Sequence, residues 1–135
     1  MFSHQVKLRV RYSETDRMGY AYYGNYAQYY EVGRVEALRS LGINYRELED
    51  AGVLLPVYEY QIRYLKPAYY DDELTLTTSI KEMPGARIRF DYECHNADGV
   101  LLNIGTVTLV FIDKASGKPR QPPPDVVEKL KKHIT

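Results

Sequence analysis

The chain contains no tryptophan, one cysteine and three histidines. A single thiol, Cys94, excludes an internal disulfide. His4, His95 and His133 lie far apart and show no ligand spacing, so they and Cys94 predict no metal site. There is no excess charge of either sign: 18 Lys and Arg balance 18 Asp and Glu. That argues against a general nucleic-acid binder, whose affinity rests on surplus positive charge. No apolar run approaches the roughly 20 residues that span a bilayer. Met1 to Val10 alternates polar and apolar residues and lacks the apolar core of a secretory signal, so a reducing, cytoplasmic setting is the expectation.

What is abundant is tyrosine, with 14 residues against three Phe. Seven of these lie between Tyr12 and Tyr30. The length of 135 residues predicts one domain, residues 1–135, with an ordinary core. From Gln5 to Tyr12 the sequence alternates strictly, which predicts a half-buried strand with Val6, Leu8, Val10 and Tyr12 on one face. Ser13 to Tyr23 breaks the pattern and is expected to be a loop.

A helix is predicted next. Asn25 fits the N-cap, with Gln28 completing a capping box. Tyr26, Ala27, Tyr30, Gly33, Ala37, Leu38 and Leu41 follow the helical period, and Gly42 suits a left-handed C-terminal cap. Gly33 inside this stripe costs about 1 kcal/mol of propensity, which suggests close approach of another backbone, such as a sheet wrapping the helix. A short helical turn is expected over Tyr45–Ala51.

From Pro56 onward the pattern predicts strands. Tyr58, Tyr60, Ile62 and Tyr64 share one face; so do Leu74, Leu76, Thr78 and Ile80, and then Ile88, Phe90, Tyr92 and Cys94. Asn96-Ala97-Asp98-Gly99 predicts a tight turn. A last strand is expected over Leu102–Ile112, and a short helix after Pro122-Pro123-Pro124. Short connections imply antiparallel neighbours. The expected fold class is α+β, one long helix covering an antiparallel sheet of about five strands.

The segment before the long helix reads Glu14-Thr15-Asp16-Arg17-Met18-Gly19-Tyr20-Ala21-Tyr22-Tyr23-Gly24-Asn25-Tyr26, followed by Tyr30, Glu31 and Arg34. Tyr64, Pro67, Ala68, Asp71, Asp72 and Leu74 form a second block. Together they resemble the signature of the hotdog-fold 4-hydroxybenzoyl-CoA thioesterase-like family, in its acyl-CoA thioesterase branch, over about Val6 to Pro124. The resemblance implies a hotdog domain, thioester hydrolysis and acyl-CoA as substrate. Coenzyme A belongs to that substrate, and no other cofactor is implied. It also implies a homo-oligomer, a dimer or a dimer of dimers, with sheets paired edge to edge.

The chemistry asked of such a site is modest. A thiol titrates near 8.5, so it leaves as thiolate with little acid assistance. One carboxylate and one electrophilic site suffice. Asp16 could attack the carbonyl to give a mixed anhydride, or deprotonate a water. Free N–H groups at a helix N-terminus can hold the developing oxyanion. By resemblance, Asp16 is the catalytic carboxylate and the backbone N–H of Tyr23 polarises the thioester carbonyl. Many relatives carry His where this chain has Tyr23, so a role that needs an imidazole is not carried over.

Tyr22, Gly24 and Asn25 at the helix mouth are candidate substrate contacts, as are Arg87 and Arg89 for the CoA phosphates, with Lys66, Lys118 and Arg120 as further basic candidates. Plainer readings stand beside these. Asp16 could cap a turn, Asn25 could be only a cap, and Glu31 and Arg34 could form a simple helical pair. Asp71-Asp72 is expected to shape a turn, and Cys94 to be a packed thiol. The competing functions are an acyl-carrier-protein thioesterase, a non-catalytic acyl-CoA binder or sensor on the same fold, and a dehydratase, which the lack of a motif histidine disfavours.

Overall fold

The computed structural model describes residues 1–134. The N-terminal alternation becomes strand β1, Phe2–Arg9, ending earlier than the period suggested. Val10 is already held from outside the strand: its N–H donates to the Asp72 carbonyl at 3.0 Å and its carbonyl accepts from Asp71 N–H at 2.9 Å. The chain then winds into a 3-10 turn, Tyr12–Glu14. Tyr12 therefore does not share the inner face with Val6 and Leu8; it is 74% exposed.

Helix α1 spans Asn25–Ser40 and α2 spans Tyr45–Asp50. After a short strand β2, Val53–Leu54, come β3, Val57–Tyr64; β4, Glu73–Ile80; β5, Arg87–His95; β6, Leu101–Val110; β7, Ile112–Asp113; and helix α3, Pro124–Lys131. The main sheet has five strands in the order β1-β4-β5-β6-β3, all antiparallel. Short connections do make neighbours of β4, β5 and β6. They do not make neighbours of β3 and β4, which lie three strand spacings apart, about 14 Å. The eight residues from Leu65 to Asp72 can reach about 26–29 Å when extended, so they cross the sheet without strain.

The β2–β7 ladder, pairing Val53 with Asp113 and Leu54 with Ile112, was not expected, because two-residue strands carry no readable period. The single strand expected over Leu102–Ile112 is interrupted at Phe111. There the N–H groups of Val110 and Phe111 leave the ladder for the carbonyls of Pro56 and Ala86.

The inner sheet face matches its pattern. Leu74, Leu76, Thr78 and Ile80 of β4 are buried, as are Ile88, Phe90, Tyr92 and Cys94 of β5. Each such large apolar side chain contributes about 1.5–3 kcal/mol on burial. Helix α1 lies on this face through Tyr26, Tyr29, Tyr30, Gly33, Arg34, Ala37 and Leu38. Ala27 is exposed and Leu41 only half-buried; Tyr29 and Arg34 take their expected places. Gly33 is required by contact. A Cβ there would stand 2.6 Å from both Leu76 Cδ2 and Thr78 Oγ1, so side chains of β4 rather than backbone make the close approach. Gly42 adopts φ +81° just past the helix, as expected of its cap.

The helix start differs from the expectation. Gly24 is the N-cap and Asn25 is the first helical residue, without a capping box. Asn25 is instead committed to the loop: its Nδ2 donates to the Glu14 carbonyl at 2.6 Å. Among the described residues no helix is long and apolar enough to cross a membrane.

Candidate active site

The loop between β1 and α1 is bound at both ends. Thr15 bridges Ala21, and Tyr20 bridges Tyr69 of the crossing segment. Its anchor is Glu14, which is 9% exposed. The Glu14 carbonyl accepts from Tyr22 N–H and from Asn25 Nδ2. Its carboxylate accepts from Arg11 N–H at 2.9 Å, from the Tyr29 hydroxyl at 2.9 Å and from the Arg11 guanidinium at 3.0 Å. Burial alone would raise the Glu14 carboxyl; these donors outweigh it and hold the group below its ordinary value. Glu14 therefore ties the loop to α1 two residues before Asp16.

Asp16 sits in the tight bend this anchor supports. Its Oδ1 accepts from Met18 N–H at 2.9 Å and Tyr20 N–H at 3.2 Å, while its own N–H donates to the Tyr20 carbonyl. Asp16 does shape a turn, as the plain reading had it. That turn also fixes the carboxylate and leaves Oδ2 without a hydrogen bond among the described residues. The carboxylate lines a cavity of about 240 Å³ whose walls include Tyr23, Tyr26, Tyr64, Leu65 and Pro67.

Tyr23, at the mouth of α1, lines the same cavity. The first helical N–H groups are occupied: Asn25 N–H donates to the Tyr22 carbonyl at 2.9 Å, and Tyr26 N–H to the Tyr23 carbonyl at 3.4 Å. Among the described residues, the N–H groups of Tyr23 and Gly24 have no acceptor. Two free donors at the positive end of a 16-residue helix are suited to an oxyanion. A Cβ at Gly24 would lie 2.6 Å from Tyr22 Cε2, so the exposed Tyr22 ring would have to shift to admit one. The Tyr22 ring packs on Tyr23 at 4.6 Å between centroids. Of these candidates Asp16 and Tyr23 line the cavity; Tyr22, Gly24 and Asn25 do not, and the Asn25 side chain is spent on the loop backbone.

Of the basic candidates, Lys66 lines the same cavity as Asp16. Arg87 and Arg89 do not. They point to the outward face of β5, where the Arg87 guanidinium lies 4.2 Å over the Tyr58 ring and Arg89 pairs with Asp91 at 3.2 Å. Arg89 borders a separate, larger cavity of about 720 Å³ over the outward sheet. Lys118 is exposed, and Arg120 donates to the Gln121 carbonyl. Glu31 and Arg34 form the plain helical pair at 3.9 Å, with Arg34 6% exposed and Glu31 in solvent. Asp71 and Asp72 shape a turn: Asp71 has φ +68° and Asp72 Oδ2 accepts from Tyr69 N–H at 2.9 Å. Cys94 is buried, and burial pushes its thiol up to about 12, which leaves it inert.

Two contributors were not singled out from sequence. Glu14 was quoted only as the start of the motif, and its signal was a carboxylate two residues before another. Tyr64 belongs to the strand's tyrosine face and to the second matched block, with no role assigned by either; its hydroxyl donates to the Tyr23 carbonyl at 3.2 Å. Strand register decides which tyrosine of that face reaches the helix mouth.

A fixed carboxylate in a tyrosine-walled cavity that Tyr23 also lines can support attack on a carbonyl carbon, and unused N–H groups at the helix mouth can hold the charge that develops on its oxygen. Comparison with known proteins gives the family. A family model described as the thioesterase-like superfamily matches residues 10–130. YneP of Bacillus subtilis (strain 168) is 37% identical over 121 residues, 90% of this chain and 88% of its own. Acyl-CoA thioesterase YbgC of Haemophilus influenzae is 31% identical over 120 residues, 88% of each chain. The crystal structure of a DHNA-CoA thioesterase from Staphylococcus aureus superposes with a TM-score of 0.93 at 31% identity, covering 98% of this chain and 91% of the other.

Proposed function

This chain belongs to the thioesterase-like superfamily of hotdog-fold proteins, and from that premise we propose that it hydrolyses acyl-CoA thioesters to a carboxylic acid and coenzyme A. The observation that supports the reading is that Asp16 and Tyr23 line one cavity, while among the described residues the N–H groups of Tyr23 and of its neighbour Gly24 have no acceptor. The acyl group enters the tyrosine-walled cavity and its carbonyl oxygen turns to the helix mouth. Asp16 Oδ2 either bonds to the carbonyl carbon or takes a proton from a water that does so. In both routes the C–S bond breaks and the electron pair leaves with sulfur as thiolate; on the direct route the water oxygen enters the acid, whereas on the anhydride route water attacking Asp16 Cγ leaves an Asp16 oxygen in the acid and its own in the Asp16 carboxylate. No cofactor is required.

The CoA phosphates are proposed to meet basic side chains at the surface, with Lys66 on the cavity rim beside Asp16. Arg87→Ala and Arg89→Ala test whether the outward sheet face contributes, through a rise in KM. A homodimer is proposed from strand β3, which is an unpaired sheet edge carrying exposed Tyr58, Tyr60 and Tyr64. Sedimentation showing an active monomer would refute that part. The single, buried thiol suits a reducing compartment such as the cytoplasm.

The test is thiol release from a panel of acyl-CoA esters by wild type, Asp16→Asn and Asp16→Ala. Both variants are expected to lose at least about 10²-fold in kcat while folding normally. Full activity in both would refute the assignment of Asp16. Preferential turnover of acyl-carrier-protein esters over CoA esters would move the substrate to the carrier protein. Hydrolysis in labelled water separates the two routes, since label in the Asp16 carboxylate marks an anhydride.

A further inference from the structure

We infer that Tyr64 is a positioning residue for the oxyanion site, acting through the peptide bond that joins Tyr23 to Gly24. The inference rests on the thioesterase reading above. The Tyr64 side chain comes from the end of β3, the far edge strand, and reaches across to the helix mouth. Its hydroxyl donates to the Tyr23 carbonyl at 3.2 Å, and its ring packs against Tyr23 at 6.3 Å and Tyr26 at 5.7 Å between centroids.

The consequence follows from peptide geometry. The Tyr23 carbonyl and the Gly24 N–H belong to one planar, trans unit and point in opposite directions. Fixing the carbonyl therefore fixes the direction of the N–H. A donor on the carbonyl oxygen also polarises the unit, which strengthens the N–H as a donor in turn. Without Tyr64, the Tyr23 carbonyl keeps only the long 3.4 Å bond from Tyr26 N–H. That peptide lies ahead of the first helical residue, Asn25, so the regular helix ladder does not hold it. Tyr64 supplies the constraint that helix propagation does not.

The hydroxyl is spent on backbone and not on substrate. Its role therefore differs from that of a pocket wall, and the two can be separated. Tyr64→Phe keeps the ring and its contacts and removes one hydrogen bond from a half-exposed site, so folding is expected to be unchanged by melting temperature. The expected result is a fall in kcat of about five- to tenfold, the size of one net hydrogen bond, with KM changed less than about twofold.

The discriminating readout is inhibition. A trifluoromethyl-ketone thioether of CoA forms a tetrahedral adduct and mimics the oxyanion. The matching methyl ketone mimics only bound substrate. Tyr64→Phe is expected to weaken the fluoroketone by the same factor as kcat and to leave the methyl ketone unchanged. Equal weakening of both inhibitors would make Tyr64 an ordinary binding contact and overturn the inference. So would wild-type kcat in Tyr64→Phe. If the wild type itself hydrolyses no thioester, the hydrolase reading fails and this inference falls with it.

Discussion

Removing the Glu14 carboxylate is expected to destabilise the fold and disable the loop together. In the structure the carboxylate takes the hydroxyl of Tyr29, a residue 6% exposed, and the Arg11 N–H and guanidinium. The guanidinium belongs to a largely exposed side chain, so its ion-pair share is small, about 0–1 kcal/mol. The main loss is the buried Tyr29 hydroxyl left without an acceptor, about 1–3 kcal/mol, plus the charge-assisted bond from Arg11 N–H. Glu14→Ala should therefore cost about 2–4 kcal/mol in urea unfolding. For a domain of this size that corresponds to about 7–14 °C in Tm. The effect is also pH-dependent with a defined sign. The folded carboxyl lies below its unfolded value of 4.5, so its stabilisation is present above that pH. It is lost as the pH falls through the folded value. The advantage of wild type over Glu14→Gln should be full at pH 7 and shrink steadily below about pH 4.5. A double-mutant cycle with Tyr29→Phe should show coupling of about 0.5–3 kcal/mol. A cost below about 0.5 kcal/mol for Glu14→Ala, or a wild-type advantage that stays constant down to pH 3, would refute the anchoring role.

Gly105→Ala is expected to destabilise by about 1–3 kcal/mol through overpacking, because a Cβ would lie 2.6 Å from Tyr30 Cε2 and 2.7 Å from the Gln61 carbonyl oxygen; urea melts check this. Cys94 should react with a thiol reagent at pH 8 only as fast as the protein unfolds, since the thiol is buried and pushed up to about 12; rapid labelling of native protein would contradict the packing. Asn103→Leu should be destabilising by about 1–3 kcal/mol, since it strips the acceptor of the buried Tyr30 hydroxyl, now 2.6 Å away; Tyr30→Phe in the same background should recover part of the loss.

The sequence was most legible where one periodicity met one environment. Strands β4 and β5 alternate because one face meets α1 and the other meets solvent, and their faces read correctly to the residue. Strand β3 alternates too, yet all of its tyrosines are exposed in the single chain, since an edge strand borrows no cover from a neighbour on its free side. Alternation reports a strand and not its place in the sheet. The placement of β3 beside β6 depends on the reach of Leu65–Asp72, which no local pattern encodes. At the site, the signature around Asp16 marked the correct loop. It did not show what holds the loop. Asn25 has the composition of a cap, but the free acceptor nearest its amide is the Glu14 carbonyl, eleven residues back, and tertiary contact overrode the local preference. Strand parity predicts Arg87 and Arg89 on the outward face, and they stand there, away from the cavity that Asp16 lines.

The tyrosine excess divides into two populations with different physics. Tyr26, Tyr29, Tyr30 and Tyr92 are each at most 6% exposed. Two of their hydroxyls end on side-chain acceptors, Glu14 and Asn103, and Tyr30 stacks on Tyr92 at 4.1 Å with planes 5° apart. Burial raises all four phenols above their ordinary value, so they stay neutral donors at any physiological pH. Tyr22, Tyr23, Tyr58, Tyr60 and Tyr64 are exposed and crowd the helix mouth and the free edge of β3. The two sets touch: Tyr30 meets Tyr60 edge-on at 6.0 Å, and Tyr26 meets Tyr64. The ring contacts form two groups: Tyr30 with Tyr60 and Tyr92, and a second that runs from buried Tyr29 through Tyr26 to Tyr64 and Tyr23 on the wall of the Asp16 cavity. Tyrosine suits this layer better than phenylalanine, because each ring carries a donor that can be tied to a fixed acceptor. The cavity wall is thereby held from behind through Tyr26, and a ring removed at Tyr29, which does not line the cavity, should loosen it.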